Sequence, residues 1–151
     1  GDRPLMVEPG RSISAAAAIT VYRIGTVKVT AGGTTYVAVD GGMSDNPRPV
    51  LYGAGYEVYL PARQEAPRPL IASIAGKHCE QGDVIVTGAH IPADVEVGEL
   101  LVTPVTGAYG YSMASNYNKV VRPQVVFVRD GRARVVIRRE TPEDLVRLDL
   151  P

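Results

Sequence analysis

The sequence predicts a mainly β domain, a barrel or sandwich carrying short helices. Short runs rich in Val, Ile, Thr and Tyr recur along the chain, and Gly- and Pro-bearing turns separate them at regular intervals. A single clear helix signature stands near the C-terminal end. The 151 residues suit one domain, 1–151, with a core of its own. Sixteen basic and 16 acidic residues balance to zero, so no global field draws nucleic acid or a membrane surface. No apolar run reaches transmembrane length, and no basic-then-apolar leader opens the chain. One cysteine cannot close an internal disulfide, which fits a reducing compartment. The chain therefore reads as soluble, globular and cytoplasmic.

Taken in order, the chain opens abruptly: residues 2–8 run straight into the tight turn Glu8-Pro9-Gly10-Arg11. It is expected to be a piece cut from something longer. Residues 13–29 are too long for one ordinary strand, and the second half, from Ile19 to Val29, favours β, with Gly25 as a bulge or bend. Ala31-Gly32-Gly33 signals a hairpin, and 34–40 returns as its second strand. A Pro-punctuated segment follows, Pro47-Arg48-Pro49-Val50-Leu51-Tyr52. Over 56–61, Tyr56, Val58 and Leu60 alternate against Glu57 and Tyr59, which reads as a strand. Residues 65–69 form a polar loop, 70–75 a strand, and 83–87 its continuation beyond a turn. Residues 89–97 read as irregular around Pro92, and 99–105 as another strand. Two further strands, 124–129 and 132–139, flank the two-residue turn Asp130-Gly131. The last element is a helix with Thr141 as N-cap, Pro142 first and Asp144 closing a capping box, and Leu145 and Leu148 share one face of it.

Chemistry concentrates in a few places. Gly76-Lys77-His78-Cys79-Glu80-Gln81-Gly82-Asp83 holds the lone cysteine between a cation and a carboxylate. A thiol is a nucleophile and a proton donor, whereas a buried one is merely a small hydrophobe, and both readings stand. His78 and Cys79 are adjacent and point apart, so they do not make a nucleophile pair. In Glu8-Pro9-Gly10-Arg11, Gly10 lets the backbone approach an anion and Arg11 can grip a phosphate or carboxylate bidentately, against the plainer reading of a surface turn with an ion pair. Arg48, between two prolines, has its fork aimed by a stiff backbone, with Tyr52 near enough to share a ligand; the alternative is a rigid surface loop. Residues 106–118 pack hydroxyls and amides densely enough to line a polar site, or to satisfy one another beneath a loop. Arg129, Arg132, Arg134, Arg138 and Arg139 read as a solvated hairpin face, because nucleic-acid binding wants aromatic interleaving that Phe127 alone does not supply. No metal site is expected, with His78 and His90 apart and one cysteine.

Four blocks occur in one order: Glu8-Pro9-Gly10-Arg11-Ser12-Ile13; the stretch 36–48 containing Asp40-Gly41-Gly42-Met43-Ser44-Asp45-Asn46-Pro47-Arg48; Gly76-Lys77-His78-Cys79-Glu80; and 106–118. Together with Arg138-Arg139-Glu140-Thr141 they resemble the C-terminal part of the bacterial diaminopimelate decarboxylases. Those enzymes are alanine racemase-like, pyridoxal-phosphate-dependent decarboxylases, and the resemblance runs from Glu8 to Asp149. It implies a TIM-barrel domain followed by a β-domain, with residues 1–12 as the tail of a barrel missing from this chain. The implied reaction releases carbon dioxide from meso-diaminopimelate to form L-lysine, the last step of lysine biosynthesis. Glu8 would then face the pyridine nitrogen of pyridoxal 5'-phosphate, while Gly10 and Arg11 contact its phosphate. Arg11, Arg48, Tyr52 and Glu80 would hold substrate, Tyr109 would touch cofactor and substrate, and Cys79 would donate the proton that replaces carbon dioxide. Cys79 and Glu80 would serve the active site of a second copy, so a homodimer is implied.

The departure is the cofactor-anchoring lysine: Lys28, Lys77 and Lys119 occupy none of the positions where the family places it. The chain alone is expected to be inactive, with exposed faces that favour association. A sister decarboxylase for ornithine, arginine or carboxynorspermidine is the nearest alternative. Glu80 after Cys79 and the Arg48–Tyr52 pair argue instead for a zwitterionic far end. The remaining alternative is a non-catalytic dimerisation domain.

Overall fold

A computed structural model of the chain describes residues 3–150; Gly1, Asp2 and Pro151, the ends of the expected 1–151 domain, lie outside the described residues. The described residues form α1 (Arg11–Ser14), β1 (Ile19–Val29), β2 (Thr35–Val39), α2 (Arg48–Tyr52), β3 (Leu70–Ala75), β4 (Val84–Ile91), β5 (Leu100–Pro104), α3 (Gly110–Met113), β6 (Val125–Arg129), β7 (Arg132–Ile137) and α4 (Pro142–Val146). Mostly strands with few, short helices, this is the fold class the sequence predicts. Five strands make one curled sheet in the order β4-β3-β2-β1-β5, and β6-β7 form a separate hairpin.

The long strand β1 organises the sheet. Its first half, Ile19 to Arg23, pairs antiparallel with β5, and from Ile24 onward it pairs with β2. The register shifts between Ile24 and Thr26, so Gly25 is the irregularity at which the strand changes partner. The 30–34 turn closes the hairpin to β2, with the Gly33 N–H donating to Thr30 O at 3.0 Å. Strand β2 then pairs parallel with β3, and β3 antiparallel with β4. Inward side chains alternate with outward ones along β2 and β3, and Val37, Ile74, Ile91 and Leu101 are fully buried in the resulting core with Ile24 and Leu60.

Four details differ from the sequence reading. Strand β4 does not end at Thr87 but runs to Ile91, because Ala89 and Ile91 bury against β3. Gly88, with φ +70°, absorbs the irregularity, and Pro92, lacking an N–H, ends the ladder. Residues 56–61 alternate as expected, with Val58 and Leu60 buried, yet form only a single bridge, Tyr59 to Val102, before Pro61 starts a 3-10 turn. The Pro-punctuated segment is a short helix, α2, not a loop. Pro49 sits in its first turn, where a missing N–H costs nothing, and Gly53 at φ +60° ends it. At the C-terminal end the capping box of Thr141 and Asp144 is present, but Leu148 lies past the last helical residue and is 79% exposed, so it shares no buried face with half-buried Leu145. Among the described residues no helix is long and apolar enough to cross a membrane.

Candidate functional site

The residues singled out in the sequence gather into two clusters. The first lies where α1 meets the segment following β5. Thr106 and Gly107 donate their N–H groups to Ala18 O and Ala15 O at 3.1 and 3.0 Å. The contact is close enough that a Cβ on Gly107 would stand 2.0 Å from Ser14 O. Val105 and Tyr109 hold left-handed backbone, φ +61° and +64°, a strained choice for side chains of this size. The turn so made lays the Tyr109 phenol over Gly10, where a Cβ would come within 2.4 Å of its oxygen. The Arg11 guanidinium stacks 5.4 Å from the centre of the same ring. Gly10, Arg11 and Tyr109 are thus brought together. Among the described residues Glu8 is exposed and makes no ion pair with Arg11, so that stretch is not the salt-bridged turn of the plainer reading.

Arg11 and Arg48 line one cavity of about 380 Å³ together with Tyr56, Glu57, Pro104 and Val105. Arg48 stacks on Tyr52, 5.1 Å from the ring centre, and its Nε is buried without a hydrogen-bond partner among the described residues. A buried, unpartnered guanidinium N–H beside a second arginine is a place for an anionic oxygen. Tyr52 itself is largely exposed and outside the cavity lining.

The second cluster is built on residues 76–83, and its anchor is Asp83. This buried carboxylate accepts the His78 and Met43 N–H groups at 2.8 and 2.7 Å and pairs with His78 Nδ1 at 2.7 Å, so Nδ1 carries the proton. One side chain therefore ties residues 76–83 to the loop 41–46. Gly76 and Gly42 make room for it, since a Cβ on either would lie 2.1 or 2.6 Å from the carboxylate. The loop is fixed a second time by Asp45, which accepts the Gly42 N–H at 2.6 Å and the Tyr22 O–H at 2.7 Å. Burial pushes the Asp45 carboxyl up, and burial with the neighbouring carboxylate pushes the Tyr22 phenol well up.

With His78 turned inward, Cys79 and Glu80 are turned out. Cys79 is exposed, so the reading of a buried thiol packing as a small hydrophobe is wrong: His78 takes the interior position. Glu80 accepts a hydrogen bond from the Tyr117 O–H, a residue the sequence reading had not singled out. That bond is the largest cause raising the Tyr117 phenol above its ordinary 10.0. The signal was present in the density of polar groups over 106–118, but no spacing rule joins Tyr117 to a residue 37 positions away. Neither Cys79 nor Glu80 lines the Arg11–Arg48 cavity. The arginines of the β6-β7 hairpin, Arg129, Arg132 and Arg134, are exposed as expected of a solvated face, as are Arg138 and Arg139.

Residues 14–107 match the family model described as "Pyridoxal-dependent decarboxylase, C-terminal sheet domain". The chain is 53% identical over 146 residues to a diaminopimelate decarboxylase of Actinosynnema pretiosum, covering 97% of this chain and 33% of that protein. It is 50% identical over 147 residues to the diaminopimelate decarboxylase of Bacillus subtilis, again covering 97% of this chain and 33% of the relative. Among solved structures, Helicobacter pylori diaminopimelate decarboxylase complexed with L-lysine superposes with a TM-score of 0.84 at 34% identity, over 94% of this chain and 34% of the other. The chain spans about a third of the length of the relatives it matches.

Proposed function

The chain belongs to the pyridoxal-dependent decarboxylases, whose C-terminal sheet domain it carries, and from that premise we propose that it supplies the β-domain share of a meso-diaminopimelate decarboxylase. In that reading the product is L-lysine, residues 1–12 are the tail of the cofactor-bearing barrel, and the reaction is the last step of lysine biosynthesis. The observation that carries it is the pair of half-sites: an arginine-lined cavity, and a thiol and carboxylate held outward elsewhere. An exposed thiol also fits a reducing, cytoplasmic setting.

The residues present suit the phosphate and ring edge of pyridoxal 5'-phosphate. Gly10 and Arg11 would grip the phosphate, Tyr109 would lie against the group, and Glu8 would hold a proton on the pyridine nitrogen. Bound there, the cofactor supplies the electron sink for decarboxylation. In this reading the covalent anchor comes from outside this chain, since Lys28, Lys77 and Lys119 occupy none of the positions where the family places it. Arg11, Arg48 and Tyr52 would hold a substrate carboxylate, the unpartnered Nε of Arg48 being one free donor. Glu80 would take the ammonium of the distal head. The Cys79 thiol would give its proton to the carbon that has lost carbon dioxide. Since neither Cys79 nor Glu80 lines the Arg11–Arg48 cavity, they would complete the site of a second copy in a homodimer.

The test measures carbon dioxide release from meso-diaminopimelate by the full-length polypeptide loaded with pyridoxal phosphate. Cys79→Ser should lower kcat by about 100-fold or more, and ornithine should be a poor substrate. Unchanged turnover in Cys79→Ser would leave only the structural domain standing, and a preference for ornithine would overturn the substrate assignment.

A further inference from the structure

We infer that Tyr117 is a positioning residue: its phenol O–H holds one oxygen of Glu80 so that the other faces an ammonium in a set direction. The inference rests on the reading of Glu80 as the distal-head ligand and goes beyond it. A glutamate on an exposed loop samples many rotamers, and each must be given up when substrate binds. The Tyr117 O–H donates to Glu80 Oε1, which removes part of that freedom beforehand and leaves Oε2 without a hydrogen bond among the described residues. The donor is neutral, so the carboxylate keeps the charge that an ammonium needs. The same contact raises the Tyr117 phenol, which keeps the proton in place across the working range.

Tyr117 is itself placed by a clamp at some distance in sequence. It opens a 3-10 turn, Tyr117–Lys119, in which Asn118 and Lys119 take positive φ of 53° and 56°. Asn116, just before it, donates through Nδ2 to Glu140 Oε2 at 2.6 Å and to Val120 O at 3.1 Å. Glu140 is held in turn by the Arg122 side chain through Nε at 2.7 Å and by the Arg122 N–H at 2.8 Å. The Tyr117 ring itself lies 5.9 Å from the buried His78 ring, centre to centre. Tyr117 is therefore positioned through its backbone by the Asn116 clamp and through its ring by the His78 contact, and its O–H meets the carboxylate from a set place.

The test is a double-variant cycle in the full-length, pyridoxal-phosphate-loaded protein, with Tyr117→Phe and Glu80→Gln made singly and together. Phenylalanine keeps the ring contact with His78 and deletes only the O–H. The expected result is a KM for meso-diaminopimelate raised about fivefold to tenfold, with kcat nearly unchanged. In the Glu80→Gln background, Tyr117→Phe should add little. Additive losses, a fall in kcat alone, or no change in KM would overturn the inference while leaving the decarboxylase reading intact. Should the protein fail to decarboxylate diaminopimelate, that reading falls, and a second measurement still decides the pairing. Carbon-13 NMR of ring-labelled tyrosine should show the Tyr117 titration shifting to lower pH in Glu80→Gln, and an unmoved midpoint would sink it.

Discussion

Asp83 shows how one residue sets a site it does not enter. Its carboxylate satisfies the buried His78 N–H and ring and the half-buried Met43 N–H, and so ties the turn that presents Cys79 and Glu80 to the loop 41–46. Removing one acceptor oxygen leaves a buried donor unpaired, which costs more than the bond returns when made. Asp83→Asn should lower the stability of the protein by about 3 kcal/mol, read from urea midpoints at unchanged m-value. The residues with intrinsic chemistry were legible in the sequence: Gly10, Arg11, Arg48, Cys79 and Glu80 declare themselves by type and by tight local context. Asp83 and Tyr117 did not. An aspartate at the end of a turn and a tyrosine in a polar stretch acquire meaning only through partners that folding brings from afar, 40 positions for Met43 and 37 for Glu80.

At the scale of elements, what is local was readable and what is paired at a distance was not. The bulge at Gly25, the Asp130-Gly131 hairpin and the Thr141 capping box each follow from a few neighbouring residues. The far end of β4 and the lone bridge at Tyr59 depend on which strand lies opposite, and the helical turn of α2 depends on where its flanking chain is pinned. The clamp of Glu140 on Arg122 and Asn116 is such a distant pairing, and it joins the β6-β7 hairpin to the segment carrying Tyr117. The hydrogen bond from Arg122, aided by the Arg122 N–H and Asn116, lowers the Glu140 carboxyl from its ordinary 4.5 to about 2. A carboxyl held below its unfolded value stabilises the fold fully above the unfolded value, and that contribution is lost as pH falls toward the folded one. Glu140→Gln should therefore destabilise the protein near neutral pH, and the gap to the native chain should close between pH 4.5 and about 2. Denaturant midpoints across that range check it. A gap that stays constant through the interval would show that the clamp works through shape and not charge.

At the scale of the molecule, large apolar side chains stand exposed in more than one place. Leu5, Met6, Val7 and Ile13 are exposed on the segment around Arg11, and Phe127 and Val128 are exposed on the hairpin. Under the proposed two-fold dimer, each copy would lend its thiol and carboxylate to the other's cavity and cover part of this apolar surface. The consequence is a complementation that a monomeric site cannot give. Full-length Arg48→Ala and Cys79→Ser proteins should each be nearly inactive alone, since each lesion strikes both sites of its own dimer. Mixed and allowed to exchange, half the dimers become hybrids in which one site carries both lesions and the other carries neither. Activity should then recover to about a quarter of the native value for a statistical mixture. Sizing before and after exchange, with turnover on meso-diaminopimelate, makes the measurement. If the mixture stays as inactive as its parents while hybrids are demonstrably formed, each active site is built from a single chain, and the two clusters must be joined within one copy.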